Sequence, residues 1–555
     1  MDSVRIKRGI KSDLPTELPL GELAFCTDTR ELFVGMGENA SLRQVTMNVS
    51  DHVLNTLYLS IDDRWKDVRS EYDDIYKELN SDVKSLFRKI PQNILYSSIE
   101  GDNIFSKIDS GTIVIFDSIL NTPHNFNLSG KSNITFKCEG EGKIIYNNNL
   151  GHSLFEISNS NNITFTNILC EIVGEGVFIG NSNGRSQFIT INNCRLSNGK
   201  SFFVSHAVND LTITYCDIKG TQSDPIDILN EPYNINVSNN KITDSHGIGI
   251  KVYCGKTENS YNVRVNDNYI SNLEKANGWS MGIEIHQKVY DIECNNNIIN
   301  SCRDMGISLS GATKLVCTGN KIENITNGYG TGIEVVNVKD GVINNNVIIE
   351  TSNHGIIFDK STLCKCNSNY IRQGIRLSYD NEVYGITIGG TENNECSLDI
   401  IDNTILNGTY GIVTQNYIKD LTIKGNTIKH CFAKCVSNHG SNKMTRNTII
   451  IKNNYFDKEI SIGTGSNFYV EFNTFHNSQN SKNSGAIYIS KNGENIRINN
   501  NNVTGFSKLG YIDISSTSEI SNKIYCINNL VSGDILLVNS ESVVDKLIQG
   551  NTILK

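Results

Sequence analysis

No apolar stretch in this sequence is long enough to cross a bilayer, and no signal peptide opens it. The expected setting for folding is a reducing cytoplasm, which the odd count of 15 cysteines also favours. Phosphate-cradling glycine loops, paired Cys/His zinc spacings and serine nucleophile elbows are all missing. Cys431-x3-Cys435 and Cys364-x-Cys366 have no second Cys/His pair at zinc spacing. Asn-Gly hairpin turns are scarce, which argues against a β-propeller, whose blades need about 40 residues and such turns. Proline is rare, with six residues, and tryptophan rarer, with two. A net charge of −9 repels nucleic acid and anionic membranes.

What the chain does have is a repeat. Ile235–Val252 reads as a short alternating run, an asparagine corner at Asn240-x-Ile242 and a second alternating run behind a glycine. The corner returns at Asn268, Asn297, Asn320, Asn346, Asn369, Asn403, Asn426, Asn454, Asn473, Asn501, Asn529 and Asn551, with Ile168, Cys194 and Cys216 in the same slot upstream. Steps of roughly 19 to 34 residues suit a solenoid. The runs alternate with period two, as in Val263-Arg-Val and Ile283-Glu-Ile, so every second side chain points inward. One coil of short strands cannot bury its apolar face, whereas stacked coils bury it continuously. Asparagine suits the bend because it tolerates the left-handed conformation, and copies on successive coils can bond one another. Cys294, Cys317, Cys366 and Cys526 fill the inward slot of Val237 and read as buried thiols. The expected class is all-β: a right-handed parallel β-helix over residues 92–555, behind a small N-terminal β domain (1–48) and a helical coiled-coil neck (49–91).

The neck is read from Leu57, Ile61, Trp65, Val68, Tyr72, Ile75, Leu79, Val83, Leu86 and Ile90, spaced by threes and fours with one stutter, and Pro91 ends it. Ahead of it, Gly21–Phe25 (Gly-Glu-Leu-Ala-Phe) and the Asp28–Gly35 turn into a strand resemble the N-terminal domain of phage tail fibres and tailspikes. That resemblance implies attachment to the phage tail or baseplate, a homotrimer, and a virion-tail protein made in the host cytoplasm that acts at the host surface. Phe105–Phe116 and Asn133–Tyr146 are similar to the opening coils of the pectate-lyase-like superfamily, where such a segment covers the first coil. The repeat persists to Asn551-Thr-Ile-Leu-Lys, so no separate C-terminal domain is expected.

Aligning the glycine-led runs on Gly247-Ile-Gly-Ile, Gly282-Ile-Glu-Ile, Gly306-Ile-Ser-Leu, Gly332-Ile-Glu-Val, Gly355-Ile-Ile-Phe and Gly374-Ile-Arg-Leu gives one outward column. Asp227, Gly249, Glu284, Ser308, Glu334, Ile357 and Arg376 are its expected members. Asp224, His246, His286, Asp304 and His354 fall beside it. Coils about 4.8 Å apart put Asp227 and Glu284, and Glu284 and Glu334, each roughly 10 Å apart at the backbone. Side chains leaning together reach the 6.5–9.5 Å or so that an inverting glycoside hydrolase needs.

Asp224 and Asp227 resemble the aspartate pair of polygalacturonase-like and tailspike hydrolases, and Ser245-His246-Gly247 resembles that family's histidine-glycine element. The family's further aspartate and arginine-lysine motif are not evident in order. The candidate catalytic residues are Asp227, Glu284, Asp224, Glu334, His246 and Asp304. Trp279, Tyr253, His286, Tyr329 and Arg376 are the candidate substrate contacts, the aromatic ones as platforms for sugar faces. The expected activity is endo-hydrolysis of a bacterial cell-surface polysaccharide, with no cofactor. A binding-only tail fibre is one alternative. The other is a lyase or teichoic-acid-degrading enzyme, for which superfamily lyases use calcium and an arginine or lysine base.

Overall fold

The computed structural model describes residues 6–9, 23–26, 32–34, 43–45 and 93–553, apart from 182–183, 255–259, 275–278, 327–328, 375–381, 439–447, 464–466, 478–484, 491–494, 514–521 and 540–542. The chain divides into two units, Met1–Ile90 and Pro91–Lys555. In the first, Ile6–Gly9 runs parallel to Leu23–Cys26, which pairs antiparallel with Leu32–Val34, and that strand pairs antiparallel with Arg43–Val45. The helical neck expected over 49–91 lies outside the described residues.

The second unit is a coil of short strands that pair only with their counterparts one turn away, always in parallel. Each turn contributes to three faces. Face A holds Ile226–Leu229, Ile250–Tyr253, Met281–Asn295, Met305–Ala312, Thr331–Val336, His354–Asp359 and Tyr384–Gly389. Face B includes Tyr233–Ser238, Ser260–Asn266 and Leu315–Thr318, and face C includes Lys241–His246, Tyr269–Glu274 and Ile298–Asn300. Met281–Asn295 runs unbroken through the corner between A and B, which Gln287 and Lys288 turn with positive φ.

The corner between B and C is built by the asparagine repeat. From Asn240 to Asn529, each side-chain amide donates to Oδ1 of the next copy at 2.9–3.1 Å. The same oxygen accepts the backbone N–H of the preceding copy, as from Asn346 N to Asn369 Oδ1 at 2.9 Å. These amides are buried, so each is satisfied by the coils above and below it rather than by water. The left-handed residue, however, is the one before the ladder asparagine: Asn239, Asp267, Asn296, Gly319, Asn345 and Ser368 all have positive φ. The expected division of labour is thus corrected. One residue makes the bend and the next makes the ladder.

Alternating side chains meet inside in a single continuous apolar core. Early coils stack phenylalanines, with Phe126 on Phe155 at 4.9 Å and Phe136 on Phe165 at 5.2 Å, the middle coils are mostly isoleucine, valine and cysteine, and phenylalanine returns at Phe456 and Phe475. The cysteines expected in the Val237 slot are buried free thiols there. Before the first coil, the short helices Ser97–Glu100 and Ile104–Lys107 lie over the end of the core. Ile104 is fully buried and the Phe105 ring sits 4.3 Å from that of Phe126. The apolar end of the core is covered in this way.

Candidate active site

Face A carries most of the candidate residues. Its inward isoleucines align as Ile226, Ile250, Ile283, Ile307, Ile333, Ile356 and Ile386, so the outward residue after each forms a column: Asp227, Lys251, Glu284, Ser308, Glu334, Ile357, Thr387. Two expected members are displaced. Gly249 aligns with Gly282 at the strand entry, where a Cβ would lie 2.7 Å from the Gly282 carbonyl oxygen, and Lys251 takes the slot. Thr387, from Gly385-Ile-Thr-Ile, takes the slot assigned to Arg376, which lies outside the described residues.

Lys251 is the residue that sequence reasoning missed, and it organises the upper half of the site. Its ammonium lies 3.3 Å from both Asp224 Oδ2 and Asp227 Oδ1. Asp224 is further fixed by the Ile248 N–H, 2.8 Å from Oδ1, which reaches it because Gly247 turns the chain at φ +77° with no Cβ to block the carboxyl. Burial works against the Lys251 charge, but Asp227 and Asp224 outweigh it and raise its pKa. Asp227 is itself pushed up, chiefly by burial and further by Asp224, with Lys251 opposing. Its Oδ1 is buried, with the Lys251 ammonium as its charged neighbour.

Glu284 lies one coil further on and is the most perturbed carboxyl of the column. Burial, opposed by Lys251 and reinforced by Asp224, Asp227 and Glu334, pushes its pKa up to about 7. The hydrogen bonds around it specify where its proton sits. Ser308 Oγ donates to Glu334 Oε2 at 2.5 Å, which uses the only hydroxyl hydrogen. The contact of 2.9 Å between His286 Nε2 and Ser308 Oγ therefore requires Nε2 to donate. Burial lowers the His286 pKa and keeps the ring neutral, so Nδ1 is a bare acceptor 3.5 Å from Glu284 Oε1. A protonated Glu284 satisfies that acceptor and an ionised one repels it. Gln287 Nε2 donates to Tyr253 OH at 2.6 Å on the outer flank.

The remaining expectations separate into rim and support. Trp279 and Tyr329, 44% and 56% exposed, bring their rings to 4.8 Å of each other from two coils apart and make one aromatic surface. Asp304, expected as an outward acid, is buried, and its Oδ2 accepts the Ser280 N–H at 2.8 Å. It anchors the Trp279 segment rather than facing solvent. His246 ends the face C strand Lys241–His246, in register with Glu274, and no hydrogen bond or ion pair among the described residues joins its side chain to the column. His354 stacks on Tyr384 at 5.0 Å and burial lowers its pKa to about 4.

This arrangement defines a class first: a parallel β-helix with a buried acid and a lysine-bridged aspartate pair on one outward face. Comparison with known families then adds two matches. Residues 175–328 match the family described as "Right handed beta helix region", and residues 4–38 match the "Major tropism determinant N-terminal domain". The expected resemblance to a phage tail protein with a parallel β-helix is upheld by both. No curated protein matches the sequence.

Solved structures similar in fold include tailspike protein 3 of bacteriophage CBA120, with 10% identity, 81% of this chain and 79% of that one covered, and a TM-score of 0.36. They also include a mutant of the periplasmic alginate epimerase AlgG, with 10% identity, 64% and 84% coverage, and a TM-score of 0.34. The alginate lyase AlyF-OU02 has 11% identity, 81% and 88% coverage, and a TM-score of 0.28. None of these likenesses bears on substrate or chemistry.

Proposed function

We propose that the chain is a phage tailspike whose β-helix binds a bacterial surface polysaccharide and hydrolyses it during adsorption. The tail assignment is supported by the match over residues 4–38. Hydrolysis is supported chiefly by one observation, a Glu284 carboxyl held near pKa 7 between groups of the opposite role. At neutral pH about half of it is protonated, and it hands that proton to the leaving glycosidic oxygen. Asp227, kept beside the Lys251 ammonium at 3.3 Å, takes the proton of an attacking water. Two coils separate them, about 10 Å at the backbone, with Lys251 in the slot between, and a spacing that wide suits a reaction that inverts the anomeric centre. Glu334 is a poorer base because Ser308 already occupies one of its oxygens. Trp279 and Tyr329 support the sugar from the rim.

The lyase alternative needs a neutral base and calcium. Lys251, the base within reach, is held protonated by two carboxylates. Its ammonium neutralises the Asp224–Asp227 pair that would hold a cation. A homotrimer, as the tailspike resemblance implies, is the proposed assembly.

The test is to incubate the protein with host exopolysaccharide and measure new reducing ends, then repeat with Asp227→Asn and Glu284→Gln. Each variant is expected to lose at least a hundredfold in rate while still binding the polymer. Absence of new ends on any host glycan points to a binding-only fibre. An unsaturated product absorbing in the ultraviolet points to a lyase.

A further inference from the structure

We propose that face C holds a second glycan groove, away from the acidic column, that takes a polyanionic polysaccharide strand lying along the coil axis. The groove is a cavity of about 710 Å³ crossing successive turns of face C. Two outward columns form it. In one, Leu169, Arg195, Asp217, Lys241 and Tyr269 stand in register, and the pairing of Ile144 with Cys170 puts Lys143 level with Leu169, one coil before it. In the other, Ser197, Lys219, Thr243 and Ser271 are mostly small, which opens the furrow beside the longer side chains.

Charge singles this furrow out. Lys143, Arg195, Lys219 and Lys241 line it, on a chain whose net charge is −9. Lys143 is paired with Glu171 at 2.6 Å, and Lys219 with Asp244 at 3.4 Å. Asp244 also accepts a hydrogen bond from Asn272, which with Lys219 keeps its pKa low. Arg195 and Lys241 have no carboxylate within 4 Å among the described residues, although Asp217 stands between them in the column. The groove therefore carries one more cation than anion, and its two unpaired cations lie two coils apart, about 10 Å. Lys143 lies two coils before Arg195 and continues that interval. Anions at every second sugar of a polymer meet such a spacing, and a guanidinium forks onto carboxylate and phosphate alike. Tyr269, 40% exposed at the far end, offers a flat face to the sugar itself. Such a site would hold the polymer parallel to the axis and raise its local concentration at face A without any cutting of its own.

The assay uses the full chain carrying Glu284→Gln, so that cleavage does not consume the ligand, and compares it with the same chain carrying also Arg195→Glu and Lys241→Glu. Fluorescent polygalacturonate, glycerol-phosphate teichoic acid and neutral dextran are the probes, in low and moderate salt. Binding of one polyanion is expected to weaken at least tenfold in the triple variant and to fall with salt, while dextran shows no difference. The responding probe identifies the anion as carboxylate or phosphate. Equal polyanion binding by both proteins, or binding of neither polyanion, overturns the proposal. So does a change in sedimentation between the two proteins, which would make this furrow a contact between copies of the chain. Loss of the hydrolysis reading alone would leave the binding difference intact.

Discussion

At Glu284 stability and activity pull in opposite directions. Its folded pKa, about 7, lies above the ordinary 4.5, so the folded state holds a proton that the unfolded chain has released between those values. Stability is therefore full below about pH 4.5, falls as pH rises through the window, and is lowest above pH 7. With a side chain only 12% exposed, the penalty approaches about 3 kcal/mol. Glu284→Gln buries no charge at any pH. It is expected to match the native protein in denaturant midpoint at pH 4, exceed it at pH 8, and have no depolymerase activity. Parallel pH dependence in the two proteins would show that burial of Glu284 is not the cause. Lys251 is a positioning residue whose charge is felt by both Asp227 and Glu284. Lys251→Met should move both limbs of the pH profile of kcat/KM upward, by about one unit. A purely structural role would lower the rate and leave both limbs in place.

At the scale of the element, the corner was half legible. An asparagine recurring thirteen times in one slot announces a ladder, because only a side chain with both donor and acceptor can bond its own copies along a stack. The residue before it was harder to read, since Asn, Asp, Ser, Gly, Tyr and Phe all occupy it. What these share is a conformation, not a chemistry. Tyr215 is the instructive case, with φ +57° and 62% exposure. A side chain of that bulk in the left-handed region costs about 1–2 kcal/mol, while asparagine adopts it readily. Tyr215→Asn is therefore expected to stabilise the protein by about 1 kcal/mol in chemical denaturation. A loss of stability would mean that the ring makes a contact worth more than the strain. The displaced glycine has a similar origin. Gly247 and Gly249 stand two apart in a period-two run, and either frame satisfies the alternation. The frame in which Gly249 aligns with Gly282 and Gly332 was the better one, because those glycines enter the strand where stacked backbones leave no room for a Cβ.

For the whole molecule, register along one face was what the sequence could yield, and the hydrogen-bond logic across it was what it could not. Asp227, Glu284 and Glu334 reach the same column because each follows the same inward isoleucine, whereas the proton direction through His286 and Ser308 depends on distances that no spacing encodes. A stack in which strands pair only with those of the neighbouring coils should also transmit energy through its interior only that far. The ladder offers a direct measurement. Asn346 donates to Asn369 Oδ1 and to the Cys317 carbonyl, and accepts from Asn320, all in the dry interior. Asn346→Ala leaves several of those groups without partners, at about 1–3 kcal/mol for each, so a loss of about 3 kcal/mol or more is expected. Asn369→Ala removes the same bond from its other end, and the double variant should lose less than the sum of the singles by about 1 kcal/mol. Asn426 lies three ladder steps from Asn346, through Asn369 and Asn403. Pairing Asn346→Ala with Asn426→Ala should give additive losses within about 0.5 kcal/mol. Coupling as strong between the distant pair as between the adjacent one would mean that the ladder acts as a single cooperative rod rather than as a chain of local links.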